Sequence, residues 1–153
     1  MVQHAAPRQY SARVRDEPQF DVAWHALKPK LDGRIVIAHN ASFDISVLRR
    51  TLDLYGLEYP TLSFGCTLQL SKVAWTGIPD YKLDTVTQEV GITFNQHHDA
   101  LHDAEACARL ALKILERFGV GSLEDLQGAC SYHLGHLQPG NYVRAGMHRP
   151  QGN

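Results

Sequence analysis

The segment Arg34–Gly56 reads RIVIAHNASFDISVLRRTLDLYG and predicts a strand that leads directly into a helix. Residues 35–37 are all β-branched and show no polar alternation, which is typical of a strand buried on both faces of a sheet. Ser42 suits the N-cap of the following helix, and Gly56 suits its C-terminal stop. A buried strand joined to a helix is the unit from which α/β sheets are built, so the segment favours the α/β class.

Helical patterns lie on both sides of this unit. Upstream, DEPQFDVAWHALKPKLDG at 16–33 places its apolar residues on one helical face. Downstream, the weak strand LSFGCT at 62–67 is followed by the short helical segments TLQLSKVAW and KLDTVTQEVG and by the long helix DALHDAEACARLALKILERFG at 99–119. Two strands alone make a poor sheet, so we expect a fold whose N-terminal β-strands are missing from this sequence.

The pattern of residues divides the chain into three parts. Residues 1–15 show no apolar period and predict a loose N-terminus, whereas residues 16–119 carry the helices and strands of one domain. Seven of the 12 glycines lie at or beyond Gly119, together with two prolines. Residues 120–153 therefore predict a loop-rich tail or linker that contains a short helix at SLEDLQ.

The overall composition excludes several classes of protein. Hydrophobic residues make up 44% of the chain and charged residues 20%, which is typical of a globular domain and not of a disordered one. The net charge of −1 gives no basic surplus for binding long duplex DNA, although an enzyme that holds only a chain end needs none. The three cysteines form no CxxC pair, and the longest aliphatic run, IVIA, is too short to cross a bilayer. We expect a cytoplasmic protein without membrane contact.

Two aspartates occupy equivalent places in the two best-defined helices. Asp44 lies in the first helical turn after the strand and shares a face with Leu52, and Asp103 shares a face with Leu110. A carboxylate beyond the carboxyl end of a strand is placed where α/β sheets hold their ligands. Both positions also suit acids that only complement the helix dipole, and the residues alone leave this second interpretation open.

The segment HHDALHDAEA at 97–106 adds a histidine to the second aspartate. His98 precedes the long helix, so its imidazole can fold back over Asp103 and accept a proton from water. Asp99 suits the N-cap of that helix. An alternative interpretation pairs His98 with His102 as ligands of a zinc ion, although the sequence contains no HExxH motif.

Together, these segments resemble the DnaQ-like 3′–5′ exonucleases of the DEDDh group. VIAHNASFD at Val36–Asp44 and HHDALHDA at His97–Ala104 are similar in order and spacing to two motifs of that family. YKLDTVTQEVGI, which lies between them, is similar to the segment before the last motif. The resemblance implies an RNase H-like fold that hydrolyses phosphodiester bonds from 3′ ends with two divalent metal ions, Mg²⁺ or Mn²⁺.

The resemblance also implies roles for five residues. Asp44 and Asp103 match metal ligands, and His98 matches the general base. Asn40 and Phe43 match residues that contact the terminal nucleotides of a single-stranded DNA or RNA 3′ end, by hydrogen bonding and by ring contact. A DNA polymerase and the missing N-terminal segment are the further partners that the resemblance implies.

The sequence departs from the family at the first motif, D-x-E, which supplies two more carboxylates from an opening strand. The one D-x-E of this chain, Asp103-Ala104-Glu105, lies in a predicted helix, and Asp16 and Glu17 are adjacent rather than spaced by one residue. We therefore expect an exonuclease domain that is truncated at its N-terminus and has weak or no activity of its own. The alternative is a non-catalytic nucleic-acid-binding remnant of the same fold.

Overall fold

The computed structural model describes residues 15–92 and 100–147. The chain divides into two compact units, Met1–Lys30 and Leu31–Asn153. Helix α1 (Phe20–Leu31) forms most of the described part of the first unit, where the sequence predicts a helix.

The second unit contains both helices and strands. Its described elements, in chain order, are β1 (Ile35–Ala38), α2 (Ala41–Tyr55), β2 (Leu62–Cys66), α3 (Thr67–Ala74), α4 (Leu83–Glu89), α5 (Ala100–Phe118), α6 (Leu126–Cys130), β3 (Tyr132–His133), β4 (Gly135–Gln138), β5 (Asn141–Val143) and β6 (Gly146–Met147). This mixture of helices and sheet confirms the α/β class.

The main sheet has the strand order β1-β2-β4-β5. β1 and β2 run parallel, with Ile35 opposite Ser63, whereas β4 runs antiparallel to β2, with Leu137 opposite Leu62. β5 runs antiparallel to β4 and completes the sheet, and β3 and β6 pair separately as a small antiparallel sheet. The parallel pair, built from the two strands that the sequence predicts, is therefore extended by strands from late in the chain.

Residues 126–147 differ from the loop-rich tail that the sequence predicted. Leu126, Tyr132 and Leu137 are each at most 1% exposed, and they belong to the same apolar core as Phe64 of β2. Tyr132 also accepts a hydrogen bond of 2.7 Å from the backbone N–H of Cys66 at the end of β2. This part of the chain is an integral layer of the second unit.

The physical reason for the wrong prediction is the length of these strands. β3 to β6 have only two to four residues each, so alternation between buried and exposed side chains is too brief to stand out. Pro139 and Gly140 form the turn between β4 and β5, with Gly140 at φ 74°, as a tight turn of this kind requires. Only part of the loop composition, Pro139 and Gly140, belongs to this hairpin turn, whereas Gly128 and Gly135 lie within α6 and β4.

Helices α2 and α5 bring the candidate residues to the sheet. α5 buries a continuous stripe, Cys107, Leu110 and Ile114, and packs on β1 and against α3 and α4. α2 packs on β1 and β2, and Gly56 ends it in the left-handed conformation, as predicted. Its N-cap is Asn40 and not Ser42, because the helix begins one residue before Ser42.

Within residues 15–92 and 100–147, no helix combines the length and the apolar character that crossing a membrane requires.

Candidate active site

A cavity of about 420 Å³ opens at the carboxyl end of β1. Its wall combines the last residues of β1 with the first turns of α2, α4 and α5. Asp44 and Asp103 both line it, although they lie on different helices and far apart in the sequence. The structure thus brings together the two carboxylates singled out by the sequence, at the edge of the sheet where α/β folds hold ligands.

The electrostatic environment of Asp44 disfavours a lone negative charge. The cavity wall removes part of the solvent around the carboxylate, and this desolvation raises the pKa of Asp44 above its ordinary value. A hydrogen bond from the residue's own backbone N–H and the nearby ring of His39 oppose that rise. A neighbouring cation would stabilise the charged form of such a carboxylate.

The chemistry of the cavity favours oxygen donors over sulfur. Cys107 also lines it, but burial raises the pKa of the Cys107 thiol, so the sulfur stays protonated at neutral pH. Soft metal ions select thiolates, whereas Mg²⁺ and Mn²⁺ select carboxylates, so this donor set suits a hard cation. In the part of the chain that the structure describes, no three His, Cys, Asp or Glu side chains come together as a metal site.

His39 joins three parts of the site through its ring. Its Nε2 lies 2.8 Å from the carbonyl oxygen of Tyr81, and its Nδ1 lies 3.0 Å from the hydroxyl of Thr67. Because a carbonyl only accepts, Nε2 carries the proton, and the Nδ1 of a neutral ring accepts from Thr67. Burial lowers the pKa of His39, which favours this neutral form. With both nitrogens engaged, His39 positions the site and is not free to act as a general base.

The partly buried ring of His39 should make the stability of the chain depend on pH. Its pKa is lower in the folded chain than in the unfolded chain, so protons bind the unfolded chain first as the pH falls below about 6.5. We expect the free energy of unfolding, measured with urea in EDTA, to fall between pH 7 and pH 5. A His39→Gln variant should be less stable at pH 7 and show a shallower fall over this range. Parallel curves for the two proteins would contradict this assignment.

The remaining predicted site residues are Asn40, Phe43 and His98. Asn40 adopts a left-handed backbone conformation (φ 74°), and its side chain makes no capping hydrogen bond, so its amide is not used to start α2. Phe43, in the first turn of α2, is 64% exposed, which leaves its ring open to a ligand. His98, the predicted general base, lies outside the described residues, as does Asp99.

His39 and Tyr81 are site residues that the sequence reasoning missed. For His39 a signal existed, because it is the polar residue that directly follows the buried strand IVIA. Its partners Thr67 and Tyr81 are 28 and 42 positions away, and no local pattern predicts hydrogen bonds over such separations.

The amino-acid sequence is similar to that of known proteins. The sequence model of the exonuclease family matches residues 9–111. A DNA polymerase III PolC-type protein of Listeria welshimeri is 33% identical over 103 residues, which are 67% of this chain and 7% of that protein. The 3′-5′ exonuclease DinG of Bacillus subtilis is 31% identical over 104 residues, 68% of this chain and 11% of that protein.

The chain spans only a small part of the curated relatives that it matches. No solved structure matches it. The α/β architecture, with its mixed sheet flanked by helices, agrees with an RNase H-like exonuclease domain. Since the family match covers more than half of the residues, the chain belongs to the DnaQ-like exonuclease family.

Proposed function

We propose that this chain is a 3′–5′ exonuclease that hydrolyses phosphodiester bonds at the 3′ ends of single-stranded DNA or RNA. The observation that carries the proposal is the single cavity shared by Asp44 and Asp103 at the end of β1. The relatives named PolC-type polymerase and 3′-5′ exonuclease support the same reaction and make a DNA polymerase the partner class that we propose.

Asp44 and Asp103 would hold Mg²⁺ or Mn²⁺. Mg²⁺ in enzymes is commonly bound by one or two carboxylates together with water and substrate phosphates, so the two described carboxylates fit one ion. The second of the two ions that the family resemblance implies needs ligands beyond these two residues. A bound divalent ion would supply an activated water and would offset the charge on the scissile phosphate.

Three further residues would act on the substrate. His98 precedes α5 in the sequence and would accept the proton of the attacking water. The exposed ring of Phe43 would contact a terminal base, since base–aromatic stacking does not depend on sequence. The Asn40 amide would hydrogen-bond the terminal nucleotide. An Asn40→Gly variant isolates that contribution, because glycine keeps the left-handed backbone and removes only the amide.

Digestion of a 5′-labelled single-stranded oligonucleotide tests the proposal. The purified chain, with Mn²⁺ or Mg²⁺, should produce a ladder of products shortened from the 3′ end, but slowly, because the only D-x-E of the sequence lies in α5 and two carboxylates of the family's metal site are missing. A His98→Ala variant should lose the ladder while keeping its circular dichroism spectrum. A folded wild-type protein that leaves the oligonucleotide intact would contradict the proposal.

A second candidate is a non-catalytic nucleic-acid-binding protein of the same fold. It is favoured by one observation, that among the described residues no group of three or more His, Cys, Asp or Glu side chains is arranged to hold a metal ion. Such a protein would bind the labelled oligonucleotide with equal affinity in the wild-type and His98→Ala forms. Neither form of the protein would shorten the oligonucleotide.

A further inference from the structure

A second cavity, of about 450 Å³, lies next to the cavity that Asp44 and Asp103 line. The two share His39 and Leu83 in their walls, so they are adjacent on the surface of the second unit. Its volume is within the range of ordinary ligand sites. We call it the lysine cavity, because Lys72 of α3 and Lys82 before α4 both line it.

The lysine cavity is positively charged, whereas the neighbouring one is acidic. Among the described residues no carboxylate pairs with Lys72, and its Nζ lies 5.7 Å from the centroid of the Tyr81 ring. Lys82 is 81% exposed and pairs with Asp80 at 3.3 Å, a contact that an exposed lysine can exchange for another anion. The whole chain has a net charge of −1, so these lysines are a local feature and not part of a general basic surface.

The wall of the lysine cavity is held in place before any ligand arrives. The hydroxyl of Tyr81 donates a hydrogen bond of 2.9 Å to the carbonyl of Trp75. The carbonyl of Tyr81 accepts the 2.8 Å hydrogen bond from His39. Tyr81 is therefore fixed at both ends, with Lys72 over its ring. A site organised in advance loses less entropy when it binds a ligand.

We propose that Lys72 and Lys82 bind the phosphodiester upstream of the 3′-terminal nucleotide, so that the chain selects a strand over a single nucleotide. This inference rests on the proposed exonuclease function, because it takes the terminal phosphodiester to lie at Asp44 and Asp103. The next phosphate along the strand then falls toward the adjoining cavity, where two cations and one aromatic ring match a phosphate and a base.

Binding of 5′-fluorescein-labelled oligothymidylate of eight nucleotides tests the inference without requiring hydrolysis. Fluorescence anisotropy is measured in EDTA over a range of salt concentrations. Each lysine–phosphate contact to a single strand contributes about 0.7 to the slope of log affinity against log salt. The double variant Lys72→Ala/Lys82→Ala should bind roughly tenfold more weakly and lose about 1.4 of that slope.

Two controls separate charge from structure. Lys72→Arg/Lys82→Arg should keep the slope, since arginine also pairs with phosphate. Lys113→Ala removes a lysine on α5 that pairs with Glu116 and lies outside the lysine cavity, and it should change neither affinity nor slope. An unchanged slope in the double alanine variant would overturn the inference, and so would a wild-type chain that does not bind the oligonucleotide.

The binding test and the test of exonuclease activity can fail separately. If the double alanine variant loses the predicted slope but the wild-type chain never shortens an oligonucleotide, the lysine cavity binds a nucleic-acid strand and the proposed exonuclease function is wrong. If the wild-type chain shortens the oligonucleotide from its 3′ end but the double alanine variant keeps the slope, the exonuclease function stands and the role of the lysine cavity is wrong. In an active chain, the double alanine variant should raise the KM for the oligonucleotide. The KM for a nitrophenyl ester of thymidine 5′-monophosphate should stay unchanged, because this ester has no upstream phosphate.

Discussion

Replacing Asp103 by asparagine is expected to reduce the release of nucleotides from a 3′ end by at least about 100-fold. Loss of residues that merely support metal ligands costs about 10–100-fold, so loss of a charged ligand should cost at least the upper value. The variant should remain folded, because Asn has nearly the same shape and the buried stripe of α5 below it is intact. The measurement is single-turnover cleavage of a 5′-labelled oligonucleotide at saturating Mn²⁺.

Glu105→Gln is the matched control for this variant. Glu105 lies on the same helix, two residues further, and pairs with Arg109 away from the cavity. The change removes the same charge and also breaks the only D-x-E of the sequence. Because exposed ion pairs contribute little, activity should stay within about twofold of the wild-type value. Equal losses in both variants would show that the charge near the start of α5 matters and that the cavity position of Asp103 does not.

Gly135→Ala is expected to lower the melting temperature by about 6–12 °C, which corresponds to about 3 kcal/mol for a chain of this size. A Cβ at Gly135 would lie 2.5 Å from Cε2 of Phe64 and 2.6 Å from the backbone nitrogen of Ala145. The Phe64 ring is buried and stacks on Tyr142, so it has little room to move. Thermal unfolding followed by circular dichroism measures the change.

For Gly128→Ala, which is the same substitution at another position, no fall in melting temperature is expected. Gly128 lies inside α6, and a Cβ there meets no atom within 4 Å. Alanine in a helix is favoured over glycine by about 0.5–1 kcal/mol, so this variant should melt at the same or a slightly higher temperature. If Gly135→Ala behaved in the same way, the close packing of β4 on Phe64 would be refuted.

The parts of the fold that the sequence predicted are those with a strong local period. The three β-branched residues of β1 and the stripe of α5 repeat over enough positions to identify a strand and a helix, and Asp44 and Asp103 follow from where those elements begin and end. The place of Asp44 at the ligand edge of the sheet was foreseeable, because it directly follows a predicted strand, whereas only the family resemblance implied that Asp103 would lie in the same site.

The parts that the sequence did not predict depend on contacts between distant residues. Gly135 reads as a loop residue until Phe64, about 70 positions earlier, and Ala145 are placed beside it. The roles of Thr67 and Tyr81 likewise follow from the position of His39 and not from their own neighbours. The lysine cavity is similar, since its two lysines lie on different elements and form no charge cluster in the sequence.

The place of β4 in the middle of the sheet has a consequence for synthesis on the ribosome. Ser63 of β2 and His136 of β4 are hydrogen-bonded at 3.0 Å and are 73 positions apart. At translation rates of about 5–20 residues per second, β4 is made roughly 4–15 s after β2. During that interval the nascent chain carries an apolar strand whose edge has no neighbour, and such edges recruit other unfolded chains. Yield in cells should therefore depend on chaperone supply and on the speed of elongation through codons 67–134, even if the finished protein is stable.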